Sequence, residues 1–238
     1  MIYDYLVIML YLKESTSLAK GLIILNENVI NELVKRKVVS DTFRRLNTEK
    51  KEKLYKFAIG LFAKYGYDGL SVDQYCLQSK ISKGSFFQYF PSKTHLLEFT
   101  LLLFDERLKV MVEQIRKAET KALAKDRLQY LFMSAASKSA LEENEKKFYL
   151  FAVNALYHSA VTVEGINIGR HFNDYVGEII KRGVETGEVR GDIPAVVGGA
   201  IVAGALNSML SVYFLNDSQP DEVTVRAFIS ILFDGING

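Results

Sequence analysis

The chain has 238 residues, of which 49% are hydrophobic, so it can bury a substantial core, and its length allows one or two domains. A single cysteine and three widely separated histidines exclude a disulfide framework and a zinc site built from closely spaced ligands. The chain contains only three prolines and sustains no strand-like alternation, so the sequence predicts helices throughout.

The first 46 residues form an N-terminal extension whose order the sequence leaves open. Residues 1–12 are apolar but short, contain Asp4 and lack a basic start, so they fit neither a signal peptide nor a membrane span, and no export is expected. Residues 28–46 place aliphatic residues before the basic run 35–37 and predict a basic helix that leads into the next segment. The alternative is a flexible arm or a start codon placed too far upstream.

The next elements are one long helix and one short helix. Thr48 is a candidate cap for the long helix, and Gly66 stands where a residue with positive φ ends such a helix. Ser71 and Gln74 fit a capping box, in which the serine hydroxyl accepts from the third amide and the glutamine reaches back to the cap amide. A short helix is therefore predicted to begin after Ser71.

A tight turn at 79–81 leads to a second short helix, which Ser82 caps. This helix ends at Phe90, because Pro91 disfavours a helical conformation in the residue before it. Its apolar residues are predicted to face a core, which leaves a polar face of Lys83, Gly84, Ser85, Gln88 and Tyr89. Side chains of this kind supply the donors that phosphates and base edges accept. The pattern is that of a helix-turn-helix, although an ordinary helical corner with a solvated face has the same local signals.

Residues 48–97 resemble the DNA-binding head of the TetR family of transcriptional regulators. The resemblance rests on three motifs: Phe62-Ala63-Lys64-Tyr65-Gly66-Tyr67, then Ser71-Val72, then Ile81-Ser82-Lys83-Gly84-Ser85-Phe86-Phe87-Gln88-Tyr89-Phe90-Pro91-Ser92-Lys93. One position departs from the family, which usually has a tyrosine that donates its hydroxyl to a phosphate where this chain has Phe87.

The resemblance implies an all-α fold in which a three-helix helix-turn-helix head sits on a larger helical ligand-binding and dimerisation body. The implied boundaries are 1–46 for the extension, 47–97 for the head, with its helix-turn-helix at about 70–89, and 98–238 for the body. The implied partner is double-stranded operator DNA, and two recognition helices of a homodimer read a palindrome about one DNA turn apart. The expected DNA contacts are Ser71 and Ser82, which orient the short helices at phosphates; Lys83, Gly84, Ser85 and Gln88, which face bases; Phe87, by position; and Tyr89 and Lys93, which hold the backbone.

The distribution of charge agrees with DNA contact at one end of the chain. Residues 35–98 carry 13 Lys and Arg against 6 Asp and Glu, a net +7, and the rest of the chain is −5 because the whole is +2. The lysines at 50, 51, 53 and 56 either touch DNA or form a solvated basic face.

From Ser92 onward the sequence predicts helices near 92–117, 119–139, 142–159, 164–186, 194–215 and 220–235. In proteins that the chain resembles, the body encloses a pocket for a small effector, and the helix from Ser92 to about Lys117 connects pocket and head. The effector is expected to be lipophilic or aromatic, although core packing is the plainer explanation for each residue. The candidate pocket residues are Phe104, Phe132, Phe151, Tyr157, His158, His171 and Tyr175.

Residues 195–215 carry no charge, and their length alone would admit a membrane span. Ala200, Gly204 and Ser208 form a stripe of small residues that permits close helix approach in a soluble protein or a membrane. In the family this helix and the last one pair with their copies across a two-fold axis, so the stripe is predicted to lie in a homodimer interface. A membrane span and a buried monomer core are the alternatives.

An enzyme is not expected, because the sequence has no phosphate-binding glycine loop and no nucleophile elbow. No metal or cofactor is predicted either, and Cys76 is expected to fill the core. The single free thiol and the absence of a signal sequence point to the cytoplasm. The sequence thus predicts a DNA-binding repressor released by an effector, without membrane contact; the alternative is a helical ligand-binding or membrane-associated protein whose head contacts other proteins.

Overall fold

The computed structural model describes Leu25 and residues 27–137, 139–158 and 167–236, without the side chains of 155–158 and 234–236. These described residues contain eleven helices and no strand, so the all-α prediction is confirmed. The helices are α1 Glu27–Lys35, α2 Asp41–Arg44, α3 Thr48–Gly69, α4 Val72–Ser79, α5 Lys83–Tyr89, α6 Lys93–Ala118, α7 Ala124–Ala135, α8 Glu143–His158, α9 Arg170–Thr186, α10 Ala195–Leu215 and α11 Glu222–Ile236.

The chain folds into two compact units. Among the described residues, one unit comprises those up to Arg107 and those between Glu143 and Asn167, and the other comprises those between Leu108 and Glu142 and those from Ile168 onward. Helix α8 belongs to the first unit because it packs against α3: the ring of Phe151 stacks on Phe62 at 6.1 Å, and Phe148 meets Phe104 edge-to-face at 5.1 Å.

The head's first long helix, α3, supplies one wall of the core of the first unit. Asn47, one residue before the predicted Thr48, is its cap and accepts from the Lys50 amide at 2.8 Å. Gly66 interrupts the helix with φ 66° and ψ −175°, a conformation that residues with a side chain rarely adopt, as the sequence predicted for φ. Leu54, Ala58 and Phe62 are buried along one face.

Residues 27–46 pack into the same core. Val38, Val39 and Phe43 are almost completely buried, and the ring of Phe43 lies 5.3 Å from Phe90 and 5.1 Å from Phe99. Their burial removes apolar surface from water, which contributes about 1.5–3 kcal/mol for each large side chain. The flexible-arm alternative is wrong for these residues. The predicted single basic helix is instead α1 and α2, separated by a turn. The predictions for residues 1–24 and 26 lie outside the described part of the chain.

The second unit is built from α7, α9, α10 and α11 with the carboxyl end of α6. Helices α9 and α10 approach closely where a Cβ added to Gly199 would lie 3.1 Å from the Gly177 Cα. Asn207 on α10 donates to Asn173 on α9 at 2.6 Å. Gly187, at φ 79°, ends α9, which agrees with the predicted helix end near residue 186. Helix α7 is shorter than the predicted 119–139 at both ends.

Candidate DNA-binding surface

Helix α4 begins with the predicted capping box. The Ser71 hydroxyl accepts from the Gln74 amide at 3.1 Å, and the Gln74 side chain accepts from the Ser71 amide at 2.8 Å. The helix ends at Lys80, whose left-handed conformation (φ 56°, ψ 43°) makes the turn, and the Ile81 amide donates back to the Cys76 carbonyl at 3.1 Å. These local contacts fix the direction in which the next helix leaves the turn.

The second short helix, α5, starts at its predicted cap. The Ser82 hydroxyl accepts from the Ser85 amide at 3.0 Å and lies 2.9 Å from the Ser85 hydroxyl. Phe86 and Phe90 are fully buried, and Phe86 meets Tyr75 of α4 edge-to-face at 5.7 Å. Helices α4 and α5 therefore form a helix-turn-helix, in which the core residues determine which face of α5 is outward.

The outward face of α5 presents the residues that were expected to meet bases. Lys83, Gly84 and Gln88 are exposed, and Ser85 is half-buried. A Cβ added to Gly84 would meet only the Ser82 hydroxyl, at 3.7 Å, so this glycine leaves open room for a close backbone approach rather than filling a tight contact. Phe87 stands beside them with its side chain 52% exposed, and it is supported edge-to-face by Phe86 at 5.2 Å.

Three lysines around this face are held by neighbouring groups. The Lys83 ammonium lies 2.9 Å from a carboxylate oxygen of Asp73, an exposed pair that stabilises the protein little. The Lys93 ammonium donates to the Tyr67 carbonyl at 2.8 Å and lies 4.2 Å from the centroid of the Tyr67 ring. The Lys50 ammonium donates to the Tyr89 hydroxyl at 3.2 Å.

Tyr89 differs in position from the other expected contacts. Its residue is only 6% exposed, and its ring packs against Phe43 and Phe90. The hydroxyl is therefore the part of Tyr89 placed near a cation, whereas the ring belongs to the core. The sequence grouped Lys50 only with the neighbouring lysines of α3. In the structure it adds a positive charge beside the carboxyl end of α5.

Two ionisable side chains on the buried face of α4 have a structural role. Burial raises the pKa of the Tyr75 hydroxyl well above its ordinary value, and this hydroxyl donates to the Leu54 carbonyl at 3.0 Å. Burial also raises the pKa of the Cys76 thiol, and the nearby charge of Asp73 adds to the effect. A reactive cysteine needs a lowered pKa, so Cys76 fits the predicted core role.

The candidate pocket residues are divided between the two units. In the first unit, Phe104 is buried, Phe151 is half-buried, and both pack against Phe148. In the second, Phe132 packs against Tyr213 at 6.0 Å, and His171 is half-buried. The side chains of Tyr157 and His158 lie outside the described residues.

Tyr175 belongs to a polar cluster of the second unit. Its hydroxyl donates to a Glu119 carboxylate oxygen at 3.2 Å, and that oxygen also accepts from Arg127 at 2.6 Å. Burial raises the pKa of the Tyr175 hydroxyl, which keeps it in the protonated form that can donate. These contacts give Tyr175 a structural role, in which it helps to hold the start of α7.

The predicted dimer residues Ala200, Gly204 and Ser208 are exposed on α10. A Cβ added to Gly204 would meet nothing within 4 Å, whereas the buried Gly198 and Gly199 face α9. Large apolar residues of α10 and α11 share this exposure: Val196, Val197, Ile201, Val212, Leu215, Val223 and Ile231. Among the described helices, α10 is long and apolar enough to cross a membrane by length and composition, and a third of its most apolar window is buried.

The part of the chain that the structure describes holds no group of three or more His, Cys, Asp or Glu residues placed to bind a metal ion. The outward face of α5 and its surroundings present hydrogen-bond donors and positive charges, which suit an anionic polymer with accessible base edges.

Comparison with known proteins gives a family for this head. Residues 54–99 match the model of the family described as bacterial regulatory proteins, tetR family. The HTH-type transcriptional regulator YuxN of Bacillus subtilis (strain 168) is 47% identical over 49 residues, which are 21% of this chain and 17% of YuxN. YerO, another HTH-type transcriptional regulator of that strain, is 28% identical over 156 residues, 57% of this chain and 53% of YerO. The chain thus matches about a sixth and about half of the lengths of these two relatives.

Solved structures extend the likeness beyond the head. The transcriptional regulator FadR from Bacillus subtilis, in complex with stearoyl-CoA, superposes with a TM-score of 0.58 at 18% identity, over 78% of this chain and 99% of FadR. At this identity the likeness concerns the fold: a helix-turn-helix head on a helical body.

Proposed function

We propose that this chain, which belongs to the TetR family of transcriptional regulators, is a repressor that binds a palindromic operator as a homodimer and is released by a small-molecule effector. The observation that carries the proposal is the outward face of α5, where Lys83, Gly84 and Gln88 stand exposed on a helix whose other face is locked in the core. Gln88 is suited to a base edge and Lys83 to a guanine or a phosphate.

The contacts proposed for the DNA backbone surround this face. Ser71 and Ser82 lie at the amino ends of the two short helices, where amides and the helix dipole favour a phosphate. We propose that Lys93 and the hydroxyl of Tyr89, with Lys50 beside it, contact the DNA backbone at the other end of α5. Because the seven residues of α5 can read only a few base pairs, a second copy of the chain is needed to recognise an operator.

The exposed apolar surface of α10 and α11 supports the homodimer. Ile201 is 56% and Val212 56% exposed on α10, and the small residues between them leave room for a partner helix. The same surface would suit a membrane, which is the second candidate and predicts that the intact protein sediments with lipid vesicles. We favour a second copy because TetR-family regulators are soluble cytoplasmic DNA-binding proteins, and we propose the cytoplasm, without catalytic activity, for this chain as well.

The effector is proposed to be lipophilic. The FadR structure, which contains stearoyl-CoA, supports this proposal and supplies a first probe. Helix α6 links the two units covalently, so a ligand that prefers one arrangement of α6 biases the head. It can weaken DNA binding only as far as it prefers the DNA-incompetent state, and a shift from 1:99 to 99:1 requires a preference of about 10⁴-fold.

Fluorescence anisotropy tests the proposal with the DNA upstream of the chain's own gene, beside scrambled DNA and at several salt concentrations. We expect tight, salt-dependent binding that prefers the native sequence, with two copies per operator and release by stearoyl-CoA or a related acyl compound. Lys83→Ala should weaken this binding, whereas Lys64→Ala, an exposed lysine of α3 outside the short helices, should not. A genome-wide selection of DNA fragments extends the test beyond the upstream DNA. If the protein binds every DNA equally weakly in both experiments, the proposed regulator is refuted.

A further inference from the structure

The carboxyl end of the recognition helix is held by a residue from the N-terminal segment. Helix α5 has seven residues, so its last carbonyls have no partner within the helix, and Pro91 has no amide hydrogen to offer. Ser40 supplies two donors: its hydroxyl donates to the Gln88 carbonyl, and its amide donates to the Tyr89 carbonyl at 3.0 Å. The end of the DNA-reading helix is thus tied to a residue 48 positions earlier in the chain.

Ser40 is itself fixed by its surroundings. Its hydroxyl oxygen caps α2 by accepting from the Phe43 amide at 3.1 Å. Phe43 is fully buried, and its ring contacts Tyr89, Phe90 and Phe99. Arg36, on the other side of Ser40, pairs with Glu98 of α6 at 3.0 Å. The two donors of Ser40 therefore come from a segment that the core holds in place.

We propose that Ser40 is a positioning residue of the DNA-reading site, and that its two hydrogen bonds to the end of α5 act as a clamp that sets where Gln88 meets a base edge. This inference rests on the proposed function. A helix of two turns frays readily unless its end is held, and Gln88 stands on the last turn. Readout of a base requires the side chain to stay within about 0.5 Å of its productive position. The hydrogen bonds of Ser40 to the Gln88 and Tyr89 carbonyls supply that restraint.

The test compares Ser40→Ala with Ser40→Thr, which keeps the hydroxyl, and with Asp41→Asn, an adjacent exposed change. Each is measured against the operator and against operators altered one base pair at a time. We expect Ser40→Ala to lower discrimination about fivefold to tenfold at the base pairs that Gln88→Ala also affects, since one hydrogen bond to a carbonyl is lost. Ser40→Thr should restore discrimination, and Asp41→Asn should keep it.

The ratio of affinities separates positioning from stability. A merely structural role would reduce the amount of active protein and so weaken binding to every sequence equally, which leaves the ratio unchanged. The salt dependence should also stay unchanged, because Ser40 carries no charge. An unchanged ratio in a folded Ser40→Ala protein would overturn the inference.

A second measurement decides the matter if the wild-type protein shows no sequence preference, a result that would defeat the proposed function itself. Hydrogen exchange at the amides of residues 86–90 then reports on the clamp directly. Faster exchange in Ser40→Ala than in Asp41→Asn supports a clamp on the end of α5. Equal exchange in both variants overturns it.

Discussion

Replacing Phe87 by tyrosine should strengthen DNA binding. The family usually has a tyrosine at this position, and the structure leaves the Phe87 side chain 52% exposed beside the outward face of α5. The ring rests edge-to-face on Phe86 at 5.2 Å, so the added hydroxyl would extend from a ring that is already supported. The substitution adds one donor, without adding charge.

The size of the gain follows from the hydrogen bond that becomes available. A net hydrogen bond to a charged group contributes about 1.5–3 kcal/mol, and a phosphate that stays partly hydrated should give the lower end of that range. Since about 1.4 kcal/mol is a factor of ten, Phe87→Tyr should tighten binding about tenfold. The stability of the free protein should change by less than about 0.5 kcal/mol, because the site is on the surface.

The assay is anisotropy titration of the operator and of scrambled DNA at several salt concentrations. The gain should appear on both DNAs, because a contact with a phosphate does not depend on the base sequence. The salt dependence should stay unchanged, because the added hydroxyl carries no charge and so releases no further counterions. Phe57→Tyr, a hydroxyl added to a half-buried ring of α3, is the matched control. An unchanged affinity of Phe87→Tyr, or an equal gain in the control, would refute the placement of Phe87 at the DNA backbone.

Three further predictions concern the head and the dimer. Lys93→Ala should weaken binding to all sequences and lower the salt slope by about one, whereas Gln88→Ala should change which half-site is preferred; equal effects of both on every sequence would contradict these roles. Tyr75→Phe should lower the free energy of unfolding by about 1–2 kcal/mol in denaturant titration, because the Leu54 carbonyl loses its buried donor. Tyr65→Phe, at an exposed ring, should cost much less, and similar losses would speak against the buried bond. Ile201→Asp should convert the dimer to monomers in sedimentation velocity and reduce operator binding; a dimer of unchanged stability would place the interface elsewhere.

The sequence predicted the helix-turn-helix because its signals act over a few residues. The capping box at Ser71, the cap at Ser82 and the stop before Pro91 each depend on neighbours within four positions, and the structure has all three. The family resemblance, which rests on motifs close together in residues 62–93, is also confirmed. It too depends on local signals. The proposed DNA, effector and dimer contacts remain predictions.

Some local expectations were displaced by competing groups. Asn47 caps α3 in place of Thr48, since its carboxamide oxygen reaches the Lys50 amide. On the same helix Tyr65 is 39% exposed, whereas Tyr55 and Ile59 are buried. Spacing gives the width of an apolar stripe, but the neighbouring elements decide which of its edges is covered.

The sequence by itself determined the all-α class, the position of the two short helices and the basic character of the head, because caps, turns, prolines and charge are properties of adjacent residues. Only the tertiary structure decided that α8 packs on α3, that Ser40 holds the end of α5, and that α10 buries Gly199 while it exposes Gly204. Those contacts join residues tens of positions apart, and their partners are selected by the shape and burial of the whole core, which no local pattern encodes.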